Sequence, residues 1–176
     1  VDGLSDDKAN YFLDKAADAY MRAYKLNPTN FAAAFNVGIS YYNQYTVLDD
    51  QFGNNIRALQ QLNTNKPVAP KDPKKKLAFD AAFKAQQDSI KKLNLALDAP
   101  MKAKADQAIE WIENAFNIVK DKTTLTKTEK NVAARSVDFL ATLYAAKRDK
   151  NRTNQKLYDE LDAKFTKYDL LHDKYQ

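Results

Sequence analysis

Five prolines and three glycines are all the helix-breaking residues in this 176-residue chain, and they are unevenly placed. Pro28 and Pro100 stand alone, while Pro67, Pro70 and Pro73 share one short segment. Between them, apolar residues recur at three- and four-residue spacing, the period of an amphipathic helix. Alanine, lysine and leucine are abundant, and they favour helix almost everywhere. No segment sustains the two-residue alternation of a half-buried strand. The expectation is a single all-α domain over residues 1–176 with about seven helices.

The first helix is expected to start at Ser5, whose hydroxyl can accept from a first-turn N–H, with Asp6 and Asp7 at the positive end of the dipole. Its stripe is Phe12, Ala16, Ala19, Tyr20, Ala23 and Tyr24, and Asn27-Pro28 ends it, because proline disfavours α in the residue before it. The second opens at Thr29 or Asn30, and its apolar side is broad, from Phe31 to Tyr45. A short third helix is expected from about 49 to 63, capped by Asp49, with Gly53 its weak point. Residues 63–73, with three prolines and no periodicity, read as a loop. A fourth helix starts at Pro73, with Asp72 as cap, and runs to Leu97. Asp98-Ala99-Pro100 should form a corner before a fifth helix over about 101–121. Thr126-x-x-Glu129 has the form of a capping box for the sixth, with Thr128 a rival start. The seventh carries Leu157, Leu161, Phe165, Tyr168 and Leu171.

Gly38 falls in the middle of the second helix, where glycine costs about 0.5–1 kcal/mol relative to alanine. A small residue there lets another backbone come close. Ala16 with Ala23, and Ala108 with Ala115, are small pairs two turns apart on one face. The expected partner of Gly38 is the first helix, at Ala16 or Ala23. Ala34-x-x-Val37-Gly38-x-x-Tyr41, and Ala16-x-x-x-Tyr20-x-x-Ala23 followed by Pro28, resemble the two halves of a tetratricopeptide repeat hairpin. Val137-x-x-Leu140-Ala141-x-x-Tyr144 and Ala108-x-x-x-Ile112-x-x-Ala115 are weaker echoes. The resemblance is good over residues 10–45, fair over 101–148 and poor elsewhere. It implies a right-handed α-α superhelix of hairpins, interrupted by an insertion at about 46–73. It also makes the first helix either the second half of a hairpin begun outside this chain or a cap. From Ala16 to Ala108 is 92 residues, which is no multiple of the family's period of about 34.

The chain has no cysteine and one histidine. Disulfides, thiolate metal sites and cysteine nucleophiles are thereby excluded. His172, with Asp169 and Asp173 nearby, is too small a ligand set for a metal site, so no metal is expected. There is no glycine-rich phosphate loop and no nucleophile elbow, so neither a cofactor nor catalysis is expected. No apolar run approaches the roughly 20 residues that span a bilayer. The chain begins with Val1, and removal of a leader would favour an extracytoplasmic location. The net charge of +5 is concentrated: residues 66–104 hold ten Lys against four Asp, whereas residues 1–50 hold four Lys/Arg against seven Asp.

What remains is surface. In the family, the first helices of successive hairpins line a concave groove that holds peptides or helices. Carried over, the groove candidates are Phe35, Asn36, Ile39, Tyr42 and Asn43, with Arg135, Asp138, Thr142 and Ala145 from the weaker hairpin. Phe35 and Ile39 stand where charge would be needed to grip a terminal carboxylate, so an apolar helix or peptide is the expected partner. The alternative is that Phe35 and Tyr42 are core. Rival functions are nucleic-acid or acidic-surface binding through residues 66–104, and small-ligand or glycan binding through Trp111 and the tyrosines. For nucleic acid, Lys74, Lys75 and Lys76 lack the interleaved aromatics of a stacking platform.

Overall fold

The computed structural model describes residues 6–175, apart from the side chains of Asp6 and Asp7. They form five α-helices, with no strand among the described residues: α1 (Asp6–Leu26), α2 (Phe31–Thr64), α3 (Pro73–Val119), α4 (Lys127–Lys150) and α5 (Gln155–Tyr175). The expected all-α class holds, but two expected breaks do not exist. Residues 45–49 continue α2 into the expected separate helix at 49–63, and α3 runs through the expected corner at Asp98-Ala99-Pro100. Seven helices thus become five. Pro100 removes one backbone donor from α3. Both Pro100 and Ala96, whose carbonyl loses that donor, are exposed, so water can take the vacant acceptor.

The ends follow local chemistry. Asn30 caps α2, its Oδ1 accepting from Ala33 N at 2.9 Å. Thr29 instead donates to Asn27 Oδ1, which stiffens the turn after α1. Asp72 Oδ1 accepts from Lys74 N and Lys75 N, both at 3.0 Å, so Pro73 occupies the first helical position, where no donor is needed. Thr126 and Glu129 form the full capping box of α4, and Lys122 adds an ion pair to the glutamate. Together they hold the Glu129 carboxyl well below its usual range, at about 2, the lysine contact being the largest cause. Ser5, and the side chains of Asp6 and Asp7 expected to favour the start of α1, lie outside the described residues.

The chain divides into two compact units, residues 1–44 with 104–176, and residues 45–103. In the first, the C-terminal part of α3 forms the centre. Its Ala105, Ala108, Ile112, Ala115, Phe116 and Val119 are all at most 3% exposed. Gly38 of α2 lies against it: a Cβ built on Gly38 would stand 2.5 Å from Ile112 Cγ1, 3.0 Å from Ile112 N and 3.3 Å from the Ala108 carbonyl. The small residue does mark a close crossing, but its partner is α3, not Ala16 or Ala23 of α1. On α1 the buried small residues are Ala9 and Ala17, with Ala16 and Ala23 half-buried. Tyr24 holds α1 to α3, edge-on to Trp111 at 5.3 Å and hydrogen-bonded to Asn114.

Helices α4 and α5 close onto α3 through Glu113. Its Oε1 accepts from Tyr144 at 3.0 Å and Tyr168 at 2.7 Å, and the two rings stack 5.8 Å apart. Burial, then the glutamate's charge and hydrogen bond, push the Tyr144 phenol up. Burial, then the Glu113 hydrogen bond, do the same at Tyr168.

The second unit is a helical hairpin: the end of α2, a loop over residues 65–72, and the start of α3. Gln87 donates to Asn63 Oδ1 at 2.6 Å across it. Phe52, Leu59, Leu62, Phe79, Phe83 and Ile90 are only half-buried, as two paired helices shield a seam from two sides alone.

Candidate functional site

On α2, Phe35, Ile39 and Tyr42 lie four and three residues apart, and so share one face. Arg135, Phe139 and Thr142 repeat that spacing on α4. The faces meet at Phe139, whose ring centroid is 4.6 Å from Tyr42 and 6.2 Å from Phe35, both tilted. The Arg135 guanidinium covers this pair, 5.0 Å from the Phe35 centroid and 5.7 Å from that of Phe139. A planar cation over two rings shields them while its own polar edge stays hydrated.

Burial divides the candidates. Phe35 is 3% exposed and belongs to a core cluster with Ala34, Ala115 and Val132, against which Ile39 and Phe139 also pack. Ile39, Tyr42 and Asn36 are half-buried, while Asn43, Arg135, Asp138 and Thr142 are exposed. Phe35 is therefore a floor beneath the surface, and Tyr42, Ile39 and Phe139 present part of their area. Phe139 was absent from the sequence candidates because it lies between the α4 stripe residues Val137 and Leu140. Its four-residue separation from Arg135 was the available signal.

Asp138, Thr142 and Ala145 take part in a second feature, an open cleft of about 470 Å³ between α4 and α5. Val137, Ala141, Phe165 and Tyr168 give it apolar walls, and Asp169 and His172 stand on its α5 side. His172 Nδ1 and Asp138 Oδ1 are 2.6 Å apart, a bridge from α5 to α4. The Asp138 hydrogen bond is the largest influence raising the His172 pKa, with the charges of Asp138, Asp173 and Asp169 adding to it. Thr142 Oγ1 donates to its own helix, at the Asp138 carbonyl. The sequence placed His172 near Asp169 and Asp173, but it could not show the partner 34 residues away. Among the described residues no group of three or more His, Asp or Glu is placed to hold a metal ion.

The arrangement can act as a surface: half-exposed aromatic and aliphatic area on α2 and α4, edged by an amide, a guanidinium and a carboxylate. Such edges orient a bound chain by hydrogen bonds while the apolar part supplies affinity. No protein-family model, curated protein or solved structure matched this chain in the comparisons made.

Proposed function

We propose that this chain is a non-enzymatic, tetratricopeptide-like scaffold that binds a protein segment or peptide on the α2–α4 face. The carrying observation is the half-exposed patch of Tyr42, Ile39 and Phe139, with Arg135 over the Phe139 ring, on preformed helices, where binding needs little ordering. Asn36 and Asn43 edge it on α2, and Asp138 and Thr142 extend it on α4 toward the α4–α5 cleft.

The repeat reading gains support from the Gly38 contact. Two fragments that resemble the family only in part, Ala34 to Tyr41 and Ala108 to Ala115, face each other through Gly38, Ala108 and Ile112. They then read as the two halves of one hairpin, with the second unit inserted between them. Of the 92 residues from Ala16 to Ala108, that unit accounts for 59, and the remaining 33 fall one short of the family period of about 34. The insertion on this reading spans residues 45–103, not 46–73.

The test is selection of peptides from a display library on the full chain, followed by affinity measurement with Asn43→Arg and Thr142→Arg. Both positions are exposed, so folding should survive. Selected peptides should lose about tenfold in affinity, or roughly 1.4 kcal/mol, to Asn43→Arg. Peptides that bind wild type and both variants equally would refute the assignment of the face.

A further inference from the structure

The second unit carries most of the net charge. Residues 45–103 hold nine Lys and one Arg against six Asp, so +4 of the chain's +5 resides there. The excess collects at the loop end. Lys71, Lys74, Lys75 and Lys76 are all exposed, and the one acid among residues 65–77, Asp72, is engaged in capping α3; Lys66, also exposed, pairs with Asp80 at 3.8 Å. Amid these cations stand the two most exposed large hydrophobics of the unit, Val68 at 95% and Leu77 at 74%. Lysine-flanked aliphatic side chains presented to solvent are the combination that an anionic lipid interface rewards, through charge at the headgroups and burial just beneath them.

We infer that this loop end docks on an anionic lipid surface, with Val68 and Leu77 entering the headgroup boundary and the lysines lying among the phosphates. The loop's chemistry suits the task. Pro67, Pro70 and Pro73 have no N–H, so fewer backbone donors must be stripped of water on entry. No described helix is long and apolar enough to cross a membrane, so the contact is interfacial. A nucleic acid is the poorer match. The nearest aromatics, Phe79 and Phe83, are half-buried, with the Lys66 ammonium 4.6 Å from the Phe83 centroid, and are not presented for base stacking. Exposed valine and leucine would add nothing on a phosphate backbone.

The experiment is co-sedimentation of the full chain with vesicles of phosphatidylcholine alone or mixed with phosphatidylserine, at low and high salt. Binding is expected only with the anionic vesicles, weakening as salt rises. The triple variant Lys74→Gln/Lys75→Gln/Lys76→Gln should partition about a hundredfold less, roughly fivefold for each lysine. Val68→Asp, in an exposed loop where folding is not at stake, should lower partitioning by about tenfold or more. Circular dichroism of both variants confirms that the helices persist. Absence of binding to phosphatidylserine vesicles, equal binding to neutral ones, or indifference to the triple substitution would overturn the proposal. Displacement from vesicles by inorganic phosphate would also overturn it, pointing to a simple anion site. Tighter binding to a DNA duplex than to vesicles would do so in favour of nucleic acid.

Discussion

Replacing Gly38 and Gly53 by alanine, one at a time, should move stability in opposite directions. Both lie within α2, so each substitution gains about 0.8–1 kcal/mol of helix propensity. Their surroundings differ. At Gly53 a new Cβ would meet only Arg57 Nη1 at 3.7 Å, ordinary contact with the end of a long side chain. At Gly38 it would stand 2.5 Å from Ile112 Cγ1 and 3.0 Å from the Ile112 backbone nitrogen. Ile112 is 0% exposed, and its Cγ1 sits one bond from the Cβ, so relief needs helix α3 or its packing to shift. Overpacking of this kind costs about 1–3 kcal/mol. The net expectation is a loss on the order of 1–2 kcal/mol for Gly38→Ala, against a gain of about 0.5–1 kcal/mol for Gly53→Ala. At about 2–4 °C per kcal/mol for a chain of this size, the melting temperatures should part by several degrees. Thermal and urea unfolding followed by circular dichroism would measure both. Adding Ile112→Ala to Gly38→Ala removes the clashing atom, so the double variant should lose less than the sum of the singles, by about 1 kcal/mol. If Gly38→Ala stabilises as Gly53→Ala does, the α2–α3 crossing described above is wrong.

Four further expectations concern polar contacts. Thr126→Ala should cost about 1 kcal/mol in urea unfolding by opening the capping box. The Glu129 carboxyl, depressed to about 2 from an ordinary 4.5, contributes stability above the ordinary value that is lost as pH falls toward 2. Glu129→Gln should therefore flatten acid unfolding in that window, and an unchanged profile would count against the Lys122–Glu129 contact. His172 should titrate by NMR above its ordinary 6.5 and return toward it in Asp138→Asn. Because its folded pKa is the raised one, the bridge's contribution is whole below about 6.5 and disappears as pH rises through the folded value. Glu113→Ala should cost roughly 2–4 kcal/mol, since it leaves the phenols of two buried tyrosines without their acceptor. A loss below about 0.5 kcal/mol would mean that water replaces the carboxylate freely.

The helix ends were legible because their causes are local. Asn30, Asp72 and Thr126 each act on backbone within three residues, and sequence displays that range directly. The continuity of α3 was not legible, because Asp98-Ala99-Pro100 carries the local signature of a corner. Whether a proline breaks a helix depends on what compensates the missing bond. Here the exposure of Ala96 and Pro100 leaves that carbonyl to solvent. Residues 45–49 posed the converse problem: Asp49 can cap, but nothing in a run of helix-tolerant residues forces the chain to stop there. Likewise His172 and Asp138 are separated by 34 residues, and only the packing of α5 on α4 brings them to 2.6 Å.

The partner of Gly38 shows why one part of the surface was readable and another was not. A small residue in a helix announces that something comes close, but it does not carry the address of what comes. The spacing of small residues pointed to Ala16 and Ala23, the pair two turns apart on the preceding helix. The true contacts, Ala108 and Ile112, lie 70 and 74 residues on, past the whole second unit. That displacement also decided which aromatics were floor and which were surface. Once α3 fills the side of α2 that carries Gly38, Phe35 falls into the cluster with Ala115 and Val132. Tyr42, one turn past Gly38 and on the α4 side, keeps part of its ring at the surface against Phe139. The glycine thus sets, through the crossing it permits, how much of the neighbouring aromatic face is left at the surface.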